Sequence, residues 1–405
     1  MKTKPLIIFS LTLLLTIIGL AIQPRVTMSE TESSTQTAAI VKANNNLGLD
    51  LFAAIWQQNE GENVFIAPSS ISFALAMLYN GAEGETAQEM SQVLHNSSLS
   101  LTEINRQNQA LRQVLQEADP EVQLAIANSL WMREGFNFKP EFLENNRTFY
   151  EATVSESDFS NSTTVTKIND WVKTNTGGKI TEIIDSIDPS QVLFLINAVY
   201  FKGLWTHPFV KDNTQEKPFY LVDGGKKSVP MMSQTGGFPY LETETFQAIS
   251  LPYGETENLS MYLFLPKAES SLEEFLAQLN LLNWNQWLSQ FNNPKINIVM
   301  PRFKLEYAIE LKDILADLGM RQAFTPEEAN FGAMTSEQVY VDSVKHKTFV
   351  EVNEEGTEAA GITSVGITAL SLPIAMEVNR PFFYVIRERQ TDTILFMGAM
   401  LDPTA

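Results

Sequence analysis

The chain contains no cysteine. That absence excludes disulfides, thiol nucleophiles, lipid anchoring through a cysteine and every thiolate metal site. Histidine is nearly as scarce. His95, His207 and His346 stand in unrelated surroundings, so no metal-ligand spacing exists and neither a metal nor another cofactor is expected. Basic residues are few: 28 Lys and Arg face 48 Asp and Glu, a formal net charge of −20. Nucleic acid is excluded as a partner on that ground, because phosphate binding needs clustered Lys and Arg. The acidity is read as solubility. Enzyme signatures are missing too. There is no Gly-x-Ser-x-Gly elbow, no phosphate loop and no His-Glu-x-x-His. The paired carboxylates Glu354 and Glu355 sit beside a glycine in a loop instead of facing each other across a pocket. No enzymatic activity is expected.

Long apolar runs are lacking except one, Leu6 to Ile22, which follows Lys2 and Lys4. A charged start and an apolar stretch read as a secretory signal, with export to the extracellular space or periplasm. Ala21-Ile22-Gln23 makes a poor cleavage site, so retention of residues 6–22 as a membrane anchor stays open. Residues 1–26 are therefore taken as signal or anchor. Residues 27–44, rich in Ser, Thr, Glu and Gln, read as a disordered linker, and 45–405 as one folded domain.

The other conspicuous gap is in charge. Between Glu358 and Glu377 there is none, and the stretch opens Ala359-Ala360-Gly361. It has too many Gly and β-branched residues for a good helix. Thr357, Ala359, Gly361, Thr363, Val365 and Ile367 share one parity, so a strand would put them on one face, small first and apolar later. An ordinary buried strand, a flexible linker and a loop able to become a strand all fit this pattern.

Elsewhere, Leu47, Leu51 and Ile55 fall at helical spacing, and Ser69 or Ser70 can N-cap a helix carrying Ile71, Leu75 and Leu78. Ile168 to Asn175 reads as a helix stopped by Gly177-Gly178. Strands are expected at 123–131, 192–200, 248–251, 260–265, 296–300, 339–352, 382–387 and 394–400, with helices at 271–279 and 311–318. Helix-rich then strand-rich predicts an α+β fold. On the 339–352 strand, His346 shares parity with Val344, Thr348, Val350 and Val352 and so faces the apolar side.

Several blocks stand in one order: Asn63-Val64-Phe65-Ile66-Ala67-Pro68-Ser69-Ser70, Ala127-Asn128-Ser129-Leu130-Trp131, Asn197-Ala198-Val199-Tyr200-Phe201-Lys202-Gly203-Leu204-Trp205, the acidic run Glu354 to Glu358, and Asn379-Arg380-Pro381-Phe382. In these blocks and their spacing the chain resembles the serpin family from about Asn45 to Pro403. The resemblance implies a large central mixed sheet, two smaller sheets, surrounding helices and an exposed reactive loop. It implies a hinge of Glu354, Glu355, Gly356, Thr357, Glu358, Ala359, Ala360 and Gly361, and a scissile bond at Leu370-Ser371. It implies that Ser70, Asn197 and His346 hold the sheet closed, and that Trp205 stands where the loop first enters. Ala67 replaces another Ser of that cluster, so one hydrogen bond is expected to be missing. Ile362 stands where the family has a smaller residue.

The implied activity is irreversible inhibition of a chymotrypsin-, elastase- or subtilisin-like serine endopeptidase by a monomer that traps the acyl-enzyme. The alternative is a non-inhibitory member acting as carrier, chaperone or structural protein. Small hinge residues favour the inhibitor.

Overall fold

The computed structural model describes residues 30–59, 61–357 and 372–405. The first helix, α1 (Glu30–Gln57), begins well before Leu47 and takes in most of the stretch read as linker. Its polar composition hides Ile40 and Val41, which lie seven and six residues before Leu47 and are buried with Leu47, Leu51 and Ile55. Apolar positions at helical spacing outweigh a Ser- and Thr-rich average. Among the described residues no helix is long and apolar enough to cross a membrane. The 6–22 run lies outside them.

The second helix, α2 (Pro68–Tyr79), is buried along almost its whole length. Its N-cap is Ala67, not Ser69 or Ser70. Pro68 takes the first helical position, where its missing N–H costs nothing, and the cap falls two residues before Ser69. The two serines lie inside the helix and point into the core region as buried polar groups. Helix α3 (Leu101–Gln116) starts with a capping box between Ser100 and Glu103. Helix α4 (Thr163–Asn175) ends before Gly177 and Gly178, both at positive φ.

The central sheet contains β1 (Val122–Arg133), β2 (Thr153–Ser157), β3 (Leu193–Leu204), β4 (Phe303–Glu310), β5 (Ser343–Val352) and the short β6 (Gly356–Thr357), in spatial order β4-β5-β3-β1-β2 with β6 on β3. The β5–β3 and β1–β2 pairs are parallel; β4–β5 and β3–β1 are antiparallel. A second sheet joins 64–66, 393–400, 382–388, 259–266, 246–253 and 240–242, and a third joins 374–377, 295–301, 226–237 and 215–220. This is the expected α+β architecture.

Strand β3 is buried without a break from Leu193 to Phe201. The reason is that both of its faces are covered. One carries Leu195, Val199 and Phe201 into the main core, which also contains residues of α2 and the second sheet. The other packs Phe194, Ile196, Ala198 and Tyr200 with Ile168 and Val172 of α4. A strand covered on both faces reads as a continuous apolar run instead of an alternation.

Candidate functional site

The parallel pairing of β5 with β3 is the seam of the central sheet. It runs from Ser343 opposite Phe194 to Phe349 opposite Tyr200 and then stops. Beyond that point the chain leaves β5 at Val352, turns through Asn353–Glu355 and comes back as β6. Gly356 pairs antiparallel with Leu204, and Thr357 with Gly203. Two of the residues expected to form the hinge therefore already occupy the edge of β3 that β5 has released.

This turn is tightly held. The Asn353 and Gly356 main chains bond each other (2.8 and 3.3 Å), and the N–H groups of Trp205 and Phe209 donate to the carbonyls of Glu355 and Glu354 (3.0 and 2.7 Å). Gly356 has φ 139°, and a Cβ there would stand 2.2 Å from the Gly203 carbonyl oxygen. Only glycine allows this backbone approach. The Glu354 carboxylate is buried, accepts from Thr214 Oγ1 (2.6 Å) and lies 3.5 Å from Arg302 Nε. Such partners offset the cost of burying a charge. Glu355 pairs with Lys211 at 2.5 Å.

Trp205 closes the same mouth. Its ring stacks on Tyr253 at 4.3 Å with an interplanar angle of 12°, and its Nε1 donates to the Asn353 carbonyl (2.9 Å). It is at once a core aromatic and a direct contact of the hinge turn.

Halfway down the seam lies a polar row inside an apolar surface. In register, His346 of β5 is opposite Asn197 of β3, and Asn197 is opposite Asn128 of β1. His346 Nδ1 lies 2.7 Å from Asn197 Oδ1, and Asn197 Nδ2 donates to Asn128 Oδ1 (2.6 Å) and to Ser70 Oγ (2.5 Å). The second ring nitrogen is satisfied from the main chain, since the Ala67 N–H donates to Nε2 (3.1 Å). The serine hydroxyl missing at 67 is thus not the only contact available at that position. Because Nε2 accepts, Nδ1 carries the proton and donates to Asn197. Thr348, next along the same face, donates to the Phe65 carbonyl (2.7 Å). Asn128 stands in one of the family blocks but is not among the residues the resemblance assigns to the sheet. A lone Asn on the main-core parity of an otherwise apolar strand was the available signal.

A strand inserted between β3 and β5 would separate them by one more strand spacing, about 4.8 Å, and break the His346–Asn197 bond. Burial pushes the His346 imidazole down to about 3 from an ordinary 6.5. The neutral form is therefore held in the folded chain, while the unfolded chain takes up a proton near the ordinary value. Stability contributed by this burial is complete above pH 6.5 and is lost as pH falls from there towards 3. At pH 5 the loss approaches roughly 2 kcal/mol. The expected result is that thermal stability falls between pH 7 and pH 5, above the range where most carboxylates titrate. His346→Gln should flatten that slope. Parallel pH profiles for variant and wild type would contradict it.

Glu358, Ala359, Ala360, Gly361, Ile362, Leu370 and Ser371 lie outside the described residues. The chain resumes at Leu372, almost fully exposed, and 374–377 then runs parallel to 295–301 in the third sheet. Among the described residues, no three His, Asp or Glu side chains gather as metal ligands would.

A sequence model of the family described as "Serpin (serine protease inhibitor)" matches residues 42–403. Human leukocyte elastase inhibitor is 35% identical over 377 residues, covering 89% of this chain and 98% of its own. The crystal structure of tengpin, a thermophilic serpin in its native state, superposes with a TM-score of 0.82 at 31% identity, over 89% of this chain and 94% of its own. Human thyroxine-binding globulin in complex with thyroxine gives a TM-score of 0.85 at 27% identity, over 91% and 100%.

Proposed function

The chain belongs to the serpin family, and on that footing we propose that it is an irreversible suicide inhibitor of a chymotrypsin-, elastase- or subtilisin-like serine endopeptidase. The observation that carries this reading is β6. Gly356 and Thr357 pair antiparallel on β3 at the point where β5 has let go of it, which is the start and the direction of a strand laid between the two. The residues that follow, Ala359, Ala360 and Gly361 after Glu358, are small enough to continue it.

In this mechanism the protease's serine attacks the Leu370 carbonyl, the Leu370–Ser371 bond breaks, and the Ser371 amine leaves. Leu370 stays on the protease as an ester. The freed segment then zips into the seam behind β6. From Thr357 to Leu370 is 14 residues, which at about 3.3 Å each carry the acylated protease some 45 Å. A displacement of even about 1 Å in a catalytic constellation can cost a hundredfold in rate, so hydrolysis of the ester stalls. The inhibitor is read as a monomer, and the run at 6–22, which follows Lys2 and Lys4, supports export, with or without retention as an anchor.

Incubation with chymotrypsin followed by a denaturing gel tests the reading directly. A complex that survives denaturation is expected. The alternative, a non-inhibitory carrier, chaperone or structural member, has the likeness to thyroxine-binding globulin in its favour. Clean loop cleavage by several such proteases with no complex formed would favour it.

Leu370 is assigned by counting from the hinge, and it implies a hydrophobic primary pocket in the target. Leu370→Arg should turn preference from chymotrypsin-like to trypsin-like enzymes by at least about a hundredfold in the ratio of association rates. Mass spectrometry of the cleaved loop locates the bond, and a cut elsewhere than Leu370-Ser371 would overturn the assignment.

A further inference from the structure

We propose that Asp119 is a positioning residue for loop insertion, a latch that joins the opening end of the central sheet to the second sheet and sets how readily the seam parts. The proposal rests on the inhibitory reading above. Asp119 lies in the link between α3 and β1 and is 4% exposed. Both of its carboxylate oxygens are committed. Oδ1 accepts the Glu121 N–H (2.8 Å), and Oδ2 accepts both the N–H and the hydroxyl of Thr256 (2.7 Å each). The neighbouring Ala118 carbonyl accepts from Asn258 Nδ2 (3.1 Å). Two segments more than a hundred residues apart are thereby locked together.

The fit is steric as well as polar. At Gly254 a Cβ would fall 2.1–2.3 Å from the Asp119 carboxylate, and the residue sits at φ +72°. Glycine is needed there because the carboxylate fills the space a side chain would take.

What the latch holds is the wall of the loop's mouth. Tyr253, one residue before Gly254, stacks on Trp205. Gly254 N–H donates to the Leu204 carbonyl (2.8 Å), Thr206 N–H to the Pro252 carbonyl (3.0 Å), and Thr206 Oγ1 to the Gly254 carbonyl (2.7 Å). On the other side, β1 begins at Val122, opposite Gly203. Gly203 is also the residue that pairs with Thr357 across its opposite edge. The end of β3 is thus flanked by the hinge on one edge and by the strand that Asp119 introduces on the other. Widening the seam by about one strand spacing, roughly 4.8 Å, must shift β3 and β1 away from β5 together. Asp119 ties that moving pair to the 253–256 corner, which continues a strand of the second sheet. A bond across such a boundary resists the shift.

The test uses the full chain and a synthetic peptide with the sequence of residues 357–370, whose uptake into the seam is followed without any protease. Asp119→Ala should take up the peptide on the order of tenfold faster, the rate equivalent of losing one strong hydrogen bond. Thr256→Ala should accelerate uptake by less, and the double variant should be no faster than Asp119→Ala. Asp119→Asn, which keeps the shape and one acceptor oxygen, should fall between and serves if the alanine variant does not fold. The intact form's thermal midpoint should drop more than that of the loop-cleaved form. Uptake at the wild-type rate, additive effects of the two single changes, or equal midpoint losses in intact and cleaved protein would each overturn the latch while leaving the inhibitory reading in place. A wild-type chain that takes up no peptide and forms no protease complex would overturn both.

Discussion

Cleavage between Leu370 and Ser371 is expected to raise the thermal midpoint by roughly 25 °C. The inserted segment has 14 residues from Thr357 to Leu370. A central strand of that length bonds along both edges, about 28 backbone hydrogen bonds against roughly seven lost where β5 and β3 part, a net gain of about 20 at near 1 kcal/mol each. Unfolding entropy near 2.1 cal/mol/K per residue makes each kcal/mol worth a little over 1 °C for a chain of this size. A rise of that size would make the uncut chain metastable, with a lifetime set by a barrier and not by an equilibrium. Circular dichroism melts of intact and loop-cleaved protein provide the measurement. Coincident curves would remove the metastability and the trapping mechanism with it.

On the inhibitory reading, Thr357→Arg is expected to convert the chain from inhibitor to substrate. The backbone of Thr357 already pairs with Gly203, so it is among the first residues a lengthening strand would seat. Burying an unpaired guanidinium in a sheet interior costs about 3–5 kcal/mol. If that cost falls on the step that competes with ester hydrolysis, insertion slows by on the order of a hundredfold or more. Leu370 is still offered, so the protease should cut the loop at an ordinary rate and leave active. The stoichiometry of inhibition and the yield of covalent complex report the partition. A variant that gives complex at the wild-type yield would mean that insertion does not begin at this hinge.

Much of the fold was legible because successive side chains of a strand point to opposite faces. Val344, His346, Thr348, Val350 and Val352 share one parity, and all five are buried on the face where His346 meets Asn197. The seam strands fell within a few residues of their expected limits, since both are long and rich in apolar residues. What failed was decided by competition between local rules. Pro68 displaced Ser69 and Ser70 from the cap, and Ile40 and Val41 drew a polar-looking stretch into α1. What stayed invisible was long-range. Nothing near Asp119 announces that Thr256 will bond it, because that pairing exists only once the two sheets are stacked. The docking of Gly356 on β3 is similar. Its glycine is readable as a hinge, but the carbonyl that demands a glycine belongs to Gly203. The scissile bond rests on residue counting, as its position lies outside the described residues.

The contact that completes the His346 imidazole is made by the peptide N–H of Ala67. A hydrogen bond of this kind is indifferent to which side chain the codon specifies. Drift at position 67 can alter what fills the space beside the ring, and can add or remove a hydroxyl there, without touching the donor. Proline alone among the amino acids would delete it. The histidine is correspondingly exposed to change, since its role cannot be passed to a neighbour. Over evolutionary time, one half of this bond is free to vary and the other is not.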